Sequence, residues 1–147
     1  MSIFTQNLYK FLKFFFIFQR KFNIQRQDII SKLLSIVSNL KGIAIGLSNN
    51  SKEILKRLKK TEFVNDIYIA GSSKEDEKEN ELIQVQKPRE ILLKKWPEID
   101  LIIFIGSIAA SIRIINSFLT SKDQDPGVIV IDNKCSKIVP LLSLIHI

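Results

Sequence analysis

The sequence predicts an α/β fold with a mostly parallel sheet and flanking helices, of the Rossmann-like three-layer kind. Short apolar segments alternate with helical segments of roughly ten residues, which is the pattern of strands joined by crossover helices. The strongest segment, Leu101–Ile105, has five consecutive apolar residues, which indicates a strand buried on both faces, as in a parallel sheet. A chain of 147 residues is long enough for one such domain.

The first elements of the predicted domain are a strand, a helix and a second strand. Gly42–Leu47 is a short apolar strand that ends in a polar turn. Asn50, followed three residues later by Glu53, predicts a helix start with an amide cap and an acid in the first turn. This helix is expected to continue to about Lys60. Asp66–Ala70 is the second strand.

The rest of the domain is predicted to contain two further helices and two or three strands. Gly71–Gln86 is rich in charge and is interpreted as a solvated loop, and Arg89–Trp96 as a helix stopped by a proline. Val128–Asp132 is a strand, and a further strand is expected from Lys137. The helix after Gly106 has apolar residues along one face, namely Ile108, Ile112, Ile115 and Leu119.

The formal net charge of +7 is concentrated in a leader, residues 1–41, which holds seven basic residues and one acid. Residues 42–147 hold 15 basic and 14 acidic residues, so the domain gives little support to nucleic-acid binding and we expect no such partner. The leader also holds seven of the ten Phe and reads as helical. It is interpreted either as an interfacial membrane helix or as an extension from a start codon placed too far upstream.

The single cysteine and single histidine restrict the chemistry that the chain can carry. They exclude a disulfide framework and multi-Cys or multi-His metal centres. Cys135 has no nearby histidine in the sequence, which argues against a catalytic thiol.

In an open parallel sheet, ligands bind beyond the carboxyl ends of the strands. Three such ends are predicted, at Ser48–Ser51, Gly106–Ser107 and Asp132–Asn133. None has the glycine spacing of a phosphate-binding loop, so a nucleotide-binding function would rest on the fold alone. The alternative function drawn from these ends is therefore a non-catalytic module for a small anion or nucleotide, with a membrane-surface leader.

Three charged residues are candidates for a site, and two of them have two interpretations. Arg113 is either an anion ligand or a surface residue whose apolar stem packs along the helix. Asp125, before a proline, has the position of a turn residue. Asp132, at a strand end, is either a turn acid or a general base or hydroxyl ligand.

A composite of motifs resembles the N-terminal domain of cobalt-precorrin-5A hydrolase, the CbiG family of cobalamin biosynthesis. That family carries G-A-T-G-I-A-V-R, K-x-x-D-P, a V-V-V-D strand and then L-L-S-G-H. The corresponding segments in this chain occur in the same register, and they are Gly106–Arg113, Lys122, Asp125–Asp132 and Leu141–Ser143.

The chain departs from the family pattern at several positions. Ala109 stands where the family has its second glycine, and Asn116-Ser117 stand where it has Ala-Pro. After Ser143 the chain continues with Leu144-Ile145-His146-Ile147, so the family's Gly-His is not carried onto His146. We expect a leader over 1–41 and, over 42–147, a domain cut from a longer enzyme and inactive alone.

The resemblance implies a hydrolase that opens the ring A lactone of cobalt-precorrin-5A and releases acetaldehyde. It implies a cobalt-corrinoid substrate that brings its own cobalt, no protein metal or cofactor, a cytoplasmic location and, in some members, a fused precorrin methyltransferase. Asp125 or Asp132 would be the general base. The residues expected to bind the polycarboxylate substrate are Gly106, Ser107, Arg113 and Lys122.

Overall fold

The computed structural model describes residues 40–61, 64–71 and 84–142. The strands are β1 (Gly42–Gly46), β2 (Asp66–Ala70), β3 (Gln84–Gln86), β4 (Leu101–Ile105), β5 (Gly127–Ile131) and β6 (Ile138–Leu142). The helices are α1 (Lys52–Lys59), α2 (Pro88–Lys95) and α3 (Ile108–Ile115), with short 3-10 helices at Asn49–Ser51 and Trp96–Glu98.

The six strands form one sheet in the order β3-β2-β1-β4-β5-β6. The first five are mutually parallel, and β6 returns antiparallel to β5. The central pair, β1 and β4, is in register from Gly42 opposite Leu101 to Gly46 opposite Ile105. The predicted α/β fold class with a mostly parallel sheet is thus confirmed.

Both faces of the sheet are buried, which makes a three-layer arrangement. The strand Leu101–Ile105 has no exposed surface at any residue, as its unbroken apolar sequence predicts. Alternate residues of each strand belong to opposite apolar clusters. On one face Ala44, Ile67, Ile103 and Ile129 cluster with Ile54, Leu55 and Leu58 of α1. On the other face Ile45, Tyr68, Phe104 and Val130 cluster with Ile91 and Leu92 of α2 and Ile115 of α3.

The strand order creates a switch point between β1 and β4. The connection after β1 runs through α1 on one face, whereas the connection after β4 runs through α3 on the other. The segments that follow β1 and β4 therefore diverge at the carboxyl edge of the sheet, where open α/β sheets bind ligands.

Two expectations about element boundaries are wrong. The segment Gly71–Gln86, expected to be all loop, ends in the edge strand β3, a three-residue strand with polar residues on both sides of Val85. Such a strand has no apolar run to reveal it. Asn50 does not cap α1, because it lies inside a 3-10 turn and α1 begins at Lys52 without a side-chain cap.

Helix α3 is shorter than the apolar pattern predicts, and the face that it buries against the sheet is a different one from the predicted face. It ends at Ile115, and its buried residues are Ser111 and Ile115. Of the four apolar residues predicted on one face, three are exposed, and these are Ile108, Ile112 and Leu119. The small Ser111 is buried instead because its hydroxyl is satisfied by the Ser107 carbonyl, at 2.9 Å.

Of the predicted helical leader, residues 1–41, all but the last two residues lie outside the described residues, as does the motif break at residues 144–147. Within the ranges that are described, no helix has the length and apolar character required to cross a membrane.

Candidate functional site

The ends of β1, β4 and β5 lie side by side at the carboxyl edge of the sheet. The backbone N–H of Leu47 donates to the Ile105 carbonyl at 2.9 Å, and the N–H of Gly106 donates to the Ile131 carbonyl at 2.8 Å. The parallel pairing therefore continues one residue past each strand. This pairing brings the residues that come next after each strand, Ser48, Ser107 and Asp132, to the same edge of the sheet.

Gly106 is required by the sharp turn between β4 and α3. Its φ of +144° is a conformation that side-chain-bearing residues rarely adopt. A Cβ at this position would lie 3.0 Å from the Cβ of Leu47, which is tighter than most Cβ contacts, so Leu47 would have to shift to accommodate it. The glycine allows α3 to begin after only two intervening residues, with its N-terminus at the carboxyl edge.

The N-terminus of α3 is only partly capped. The Ser107 hydroxyl accepts a long hydrogen bond from the Ala110 N–H, at 3.4 Å, and the Ser107 carbonyl accepts from the Ser111 N–H at 3.1 Å. The first N–H groups of a helix have no partner within the helix, and its dipole adds partial positive charge there. This end of α3 therefore favours anionic or carbonyl oxygens.

The loop after β1 is held by a buried serine. Ser51 has no exposed surface, and both its N–H and its hydroxyl donate to the Ser48 carbonyl, at 3.1 and 2.5 Å. Gly46 makes room for it, because a Cβ at Gly46 would overlap the Ser51 hydroxyl and lie 3.0 Å from Leu55 Cδ1. These contacts fix the backbone of Ser48. Its own Oγ is buried and has no hydrogen-bond partner.

Asp132 closes the turn between β5 and β6. Its carboxylate accepts hydrogen bonds from the Ser136 hydroxyl and from the Lys137 N–H, both at 2.7 Å. These two donors, the hydroxyl first, lower the pKa of Asp132 below its ordinary value of 3.8. In the same turn Cys135 has a φ of 55°, and its N–H donates to the Asp132 carbonyl. These hydrogen bonds support the interpretation of Asp132 as an acid that closes the turn, and a catalytic role for Asp132 stays a prediction.

The lowered pKa of Asp132 predicts a pH-dependent effect of Asp132→Asn on stability. A carboxylate with a depressed folded-state pKa stabilises the fold above its unfolded value of 3.8, and this contribution is lost as pH falls through the folded pKa. We expect Asp132→Asn to lower the melting temperature at pH 7, with the difference shrinking toward pH 2. Ser136→Ala, which removes the main donor but keeps the carboxylate, should reproduce part of the loss. If the difference in melting temperature between the wild type and Asp132→Asn stays constant between pH 7 and pH 2, the Asp132 carboxylate does not stabilise the fold in this way.

Arg113 lies on the outer side of α3, six residues from Ser107, and is exposed. At a rise of about 1.5 Å per residue its Cα is roughly 9 Å from that of Ser107 along the axis. Helical side chains tilt toward the helix N-terminus, so an extended Arg113 side chain can reach toward the carboxyl edge. Arg89 of α2 donates from Nη2 to the Arg113 carbonyl at 3.2 Å, which brings two arginines to this surface.

Lys122 and Asp125 lie at the opposite edge of the sheet. Both belong to the loop that leads into β5, before its first residue, Gly127. The Asp125 carboxylate accepts from the Thr120 N–H at 3.0 and 3.1 Å and from the Thr120 hydroxyl at 2.8 Å, which closes this loop. The five residues of β5 separate Asp125 from Asp132 by roughly 15 Å.

The structure thus divides the six residues singled out in the sequence. Gly106, Ser107 and Asp132 lie together at the carboxyl edge, with Arg113 on the adjoining helix surface. Ser48 joins this group although the sequence did not single out its side chain. Only its position in the sequence could have indicated Ser48, because it follows β1, the strand that pairs with β4.

The amino edge has a cleft of its own, about 280 Å³ in volume, between the start of β1 and the end of α2. An ion pair between Lys95 Nζ and Asp66 Oδ2, at 2.6 Å, lies in its wall. The hydrogen bond to Asp66 is the main cause that raises the pKa of Lys95. Across the described part of the chain, no group of three or more His, Cys, Asp or Glu residues could hold a metal ion.

The fold and the carboxyl edge define a doubly wound α/β domain with a ligand position of the switch-point type. Residues 90–146 match the family described as Cobalamin synthesis G N-terminal. This segment contains all six residues that the resemblance singled out. The match covers residues 90–146, and over this segment it confirms the resemblance of the sequence to the N-terminal domain of the CbiG family.

Solved structures that are similar to this chain include the following two. One, a cobalamin biosynthesis protein G homologue from Sulfolobus solfataricus, is 21% identical with a TM-score of 0.50, over 73% of this chain and 31% of that one. The similarity supports the fold, and the chain spans about a third of that protein's length. A precorrin 8w decarboxylase from Methanobacterium thermoautotrophicum is 16% identical over 74% of this chain and 63% of that one. Its TM-score of 0.35 supports no argument. No curated protein matches the chain.

Proposed function

We propose that this chain acts in the hydrolytic opening of the ring A lactone of cobalt-precorrin-5A, with loss of acetaldehyde, as the N-terminal domain of a longer enzyme. The family match supports a role in cobalamin biosynthesis, and it is the observation that carries the proposal. The matched segment includes the turn at Gly106–Ser107, the N-terminus of α3 and the end of β5.

The carboxyl edge has chemistry that suits such a substrate. In lactone hydrolysis, water adds to the carbonyl carbon, negative charge develops on the carbonyl oxygen, and the ring C–O bond breaks to give a carboxylate and a hydroxyl. Fixed N–H groups at a helix N-terminus stabilise charge of this kind. The N-terminus of α3 provides such groups at Ile108 and Ala109, both of which are exposed residues.

The substrate is a polycarboxylate, so it also requires cationic contacts. Arg113 belongs to the helix that begins at this edge, and its guanidinium can pair with a carboxylate through two parallel N–H donors. Lys122, at the amino edge, is too far from this position to bind the same group. We therefore assign carboxylate binding at the carboxyl edge to Arg113.

Between the two candidate bases, the geometry favours Asp132. It is the carboxylate that shares the edge with the α3 N-terminus, whereas Asp125 closes a loop at the other edge. The lowered pKa of Asp132 keeps it ionised at neutral pH and also makes it a weak base. This favours a role in orienting the attacking water over one in removing its proton.

A binding measurement tests the assignment of Arg113. We expect the 147-residue chain to bind cobalt-precorrin-5A and Arg113→Ala to weaken binding by about tenfold or more, because a charge-assisted hydrogen bond is lost. Lys122→Ala removes an equally exposed cation from the amino edge and should leave affinity unchanged. Equilibrium dialysis followed by corrinoid absorbance gives the dissociation constants. Weaker binding in Lys122→Ala with normal binding in Arg113→Ala would reverse the assignment.

An acetaldehyde assay on the same mixtures separates catalysis from binding. A chain that contributes only one domain of the enzyme should bind the corrinoid without releasing acetaldehyde. Turnover by the chain alone would contradict the view that further domains are needed. Absence of any binding would remove the proposed substrate and favour the alternative of a module for another small anion.

A further inference from the structure

We propose that residues 27–40, the C-terminal part of the leader, pack as an amphipathic helix on the sheet face that carries α1, over β4 and β5. The occupant of this surface is then a segment of the chain itself, and the domain extends upstream of Gly42. This inference does not depend on the proposed function, because it concerns the packing of the sheet and not the chemistry at its carboxyl edge.

The first observation is that half of this sheet face is buried without a described helix over it. Among the residues that the structure describes, α1 is the only helix in the apolar cluster of this face, and it lies over β1 and β2. Ile103 of β4 and both Ile129 and Ile131 of β5 are nevertheless at most 1% exposed. Cys135 and Ile138 pack against the same cluster, and the strand register places Ile138 beside Ile131. The cover over β4 and the middle of β5 must therefore come from another part of the chain.

The second observation is the place where the leader joins the sheet. Leu40 is 4% exposed and belongs to the apolar cluster on this same face. The next residue, Lys41, is fixed beside the start of β4. Its N–H donates to the Asp100 carboxylate at 3.0 Å, and its carbonyl accepts from the Asp100 N–H at 2.9 Å. The chain thus reaches β1 from the α1 face, next to the half of that face that α1 does not cover.

The third observation is the sequence pattern of residues 27–40. At about 3.6 residues per turn, the apolar residues of this segment fall on one side of a helix and the polar residues on the other. The apolar side consists of Ile29, Ile30, Leu33, Leu34, Ile36, Val37 and Leu40. Because Leu40, the member of this series that the structure describes, packs on the sheet, the rest of the apolar side would continue along the same face.

The length of the segment also suits the sheet. Fourteen helical residues extend over about 21 Å, which is enough to cross the roughly 17 Å of a five-residue strand. A helix that enters β1 at the amino edge would run antiparallel to the strands, as the crossover helices of an α/β sheet do. Residues 27–40 would therefore lie beside α1 and complete the helical layer on this face.

Other segments outside the described ranges suit this position less well. Residues 72–83 connect β2 to β3, which form the far end of the sheet from β5, and they are mostly charged or polar. Residues 143–147 would form little more than one helical turn, about 7 Å long, which is too short to cover two strands. The leader segment is the one that has both the length and the apolar side.

The test compares two substitutions in the full chain that introduce the same residue on opposite sides of the segment. We expect Leu33→Asp to lower the melting temperature by about 6 °C or more, because a carboxylate on the apolar side cannot be buried against the sheet without a partner. Ser35→Asp, the matched control, adds the same charge and the same helix propensity on the polar side. It should shift the melting temperature by no more than about 2 °C.

Methyl NMR of the wild-type chain locates the contact without any destabilising change. With Ile, Leu and Val methyl groups labelled, we expect nuclear Overhauser effects between Ile129 or Ile131 and Leu33, Leu34 or Val37. This measurement decides the question even if Leu33→Asp fails to fold. Overhauser effects that join Ile129 only to residues 72–83 or 143–147, with none to residues 27–40, would overturn the inference.

Equal melting temperatures for Leu33→Asp and Ser35→Asp would also overturn it, because the apolar side would then make no contact with the domain. Co-sedimentation with phosphatidylglycerol vesicles distinguishes the membrane alternative. If Leu33→Asp abolishes co-sedimentation and leaves the melting temperature unchanged, the apolar side contacts lipid and the inference is wrong. A lower melting temperature for Leu33→Asp alone, together with the expected Overhauser effects, supports packing on the sheet.

Discussion

Replacement of Phe104 by alanine is expected to lower the free energy of unfolding by about 3–5 kcal/mol, the usual cost of truncating a fully buried aromatic residue. Phe104 has no exposed surface and is the largest fully buried side chain among the described residues. It lies in β4, which pairs with β1 on one side and β5 on the other, and its ring packs in the cluster that includes α2 and α3. The resulting cavity would lie at the centre of the domain.

Urea unfolding followed by circular dichroism measures this loss, and Leu93→Ala provides the control. Leu93 is also a large apolar residue, but 72% of its surface is exposed, so its truncation should change the free energy by no more than about 0.5 kcal/mol. A loss of 3–5 kcal/mol is a large fraction of the stability of a small domain. Similar effects of the two substitutions would show that β4 is not the core strand of the sheet.

Gly106→Ala is expected to lower the free energy of unfolding by about 3 kcal/mol, through backbone strain and a steric contact combined. The φ of +144° is unfavourable for alanine, and the new Cβ would lie 3.0 Å from Leu47 Cβ. Because this contact joins the two loops of the candidate site, we also expect Gly106→Ala to weaken binding of cobalt-precorrin-5A.

A double-mutant cycle with Leu47→Gly separates the two contributions. The nearest atom to the new Cβ is Leu47 Cβ, so Leu47→Gly removes the contact and leaves the φ strain. The cost of Gly106→Ala should therefore be smaller in the Leu47→Gly background than in the wild type, but not zero. An effect of Gly106→Ala below about 0.5 kcal/mol in the wild type would mean that the turn relaxes and that the close approach is not required.

Much of the fold could be predicted from the sequence because the sheet is buried on both faces. Unbroken apolar runs such as Leu101–Ile105 and Val128–Ile131 have few other structural interpretations when helices separate them. The strand β3 could not be found in this way, since only three residues pair and both outer ones are glutamines. Its place is set by the neighbouring β2 and not by its own composition.

The face of α3 that meets the sheet could not be predicted from the spacing of apolar residues, for a different reason. Spacing predicts which residues share a face, but it does not decide which of two apolar faces meets the sheet. Ser111, which can bond to the carbonyl four residues earlier, is buried in place of Ile112. Helix length contributed as well, because α3 ends at Ile115 and Leu119 lies beyond it.

The candidate site was partly predictable from chain direction. Residues that follow a parallel strand meet at one edge, and this rule correctly places Gly106–Ser107 and Asp132 together. The same rule separates Lys122 and Asp125, which precede β5, although the family resemblance grouped all of them. The unpaired hydroxyl of Ser48 could not be predicted, since it depends on the three-dimensional surroundings of one atom.

Hydrogen exchange with and without cobalt-precorrin-5A tests whether this domain binds its ligand at the carboxyl edge. We expect protection from exchange in residues 46–51, 107–110 and 132–137, which follow the three strands at that edge. Residues 119–126, the loop of Lys122 and Asp125, should exchange at the same rate in both states. Protection confined to residues 119–126, or no protection anywhere, would show that the ligand does not bind at the carboxyl edge.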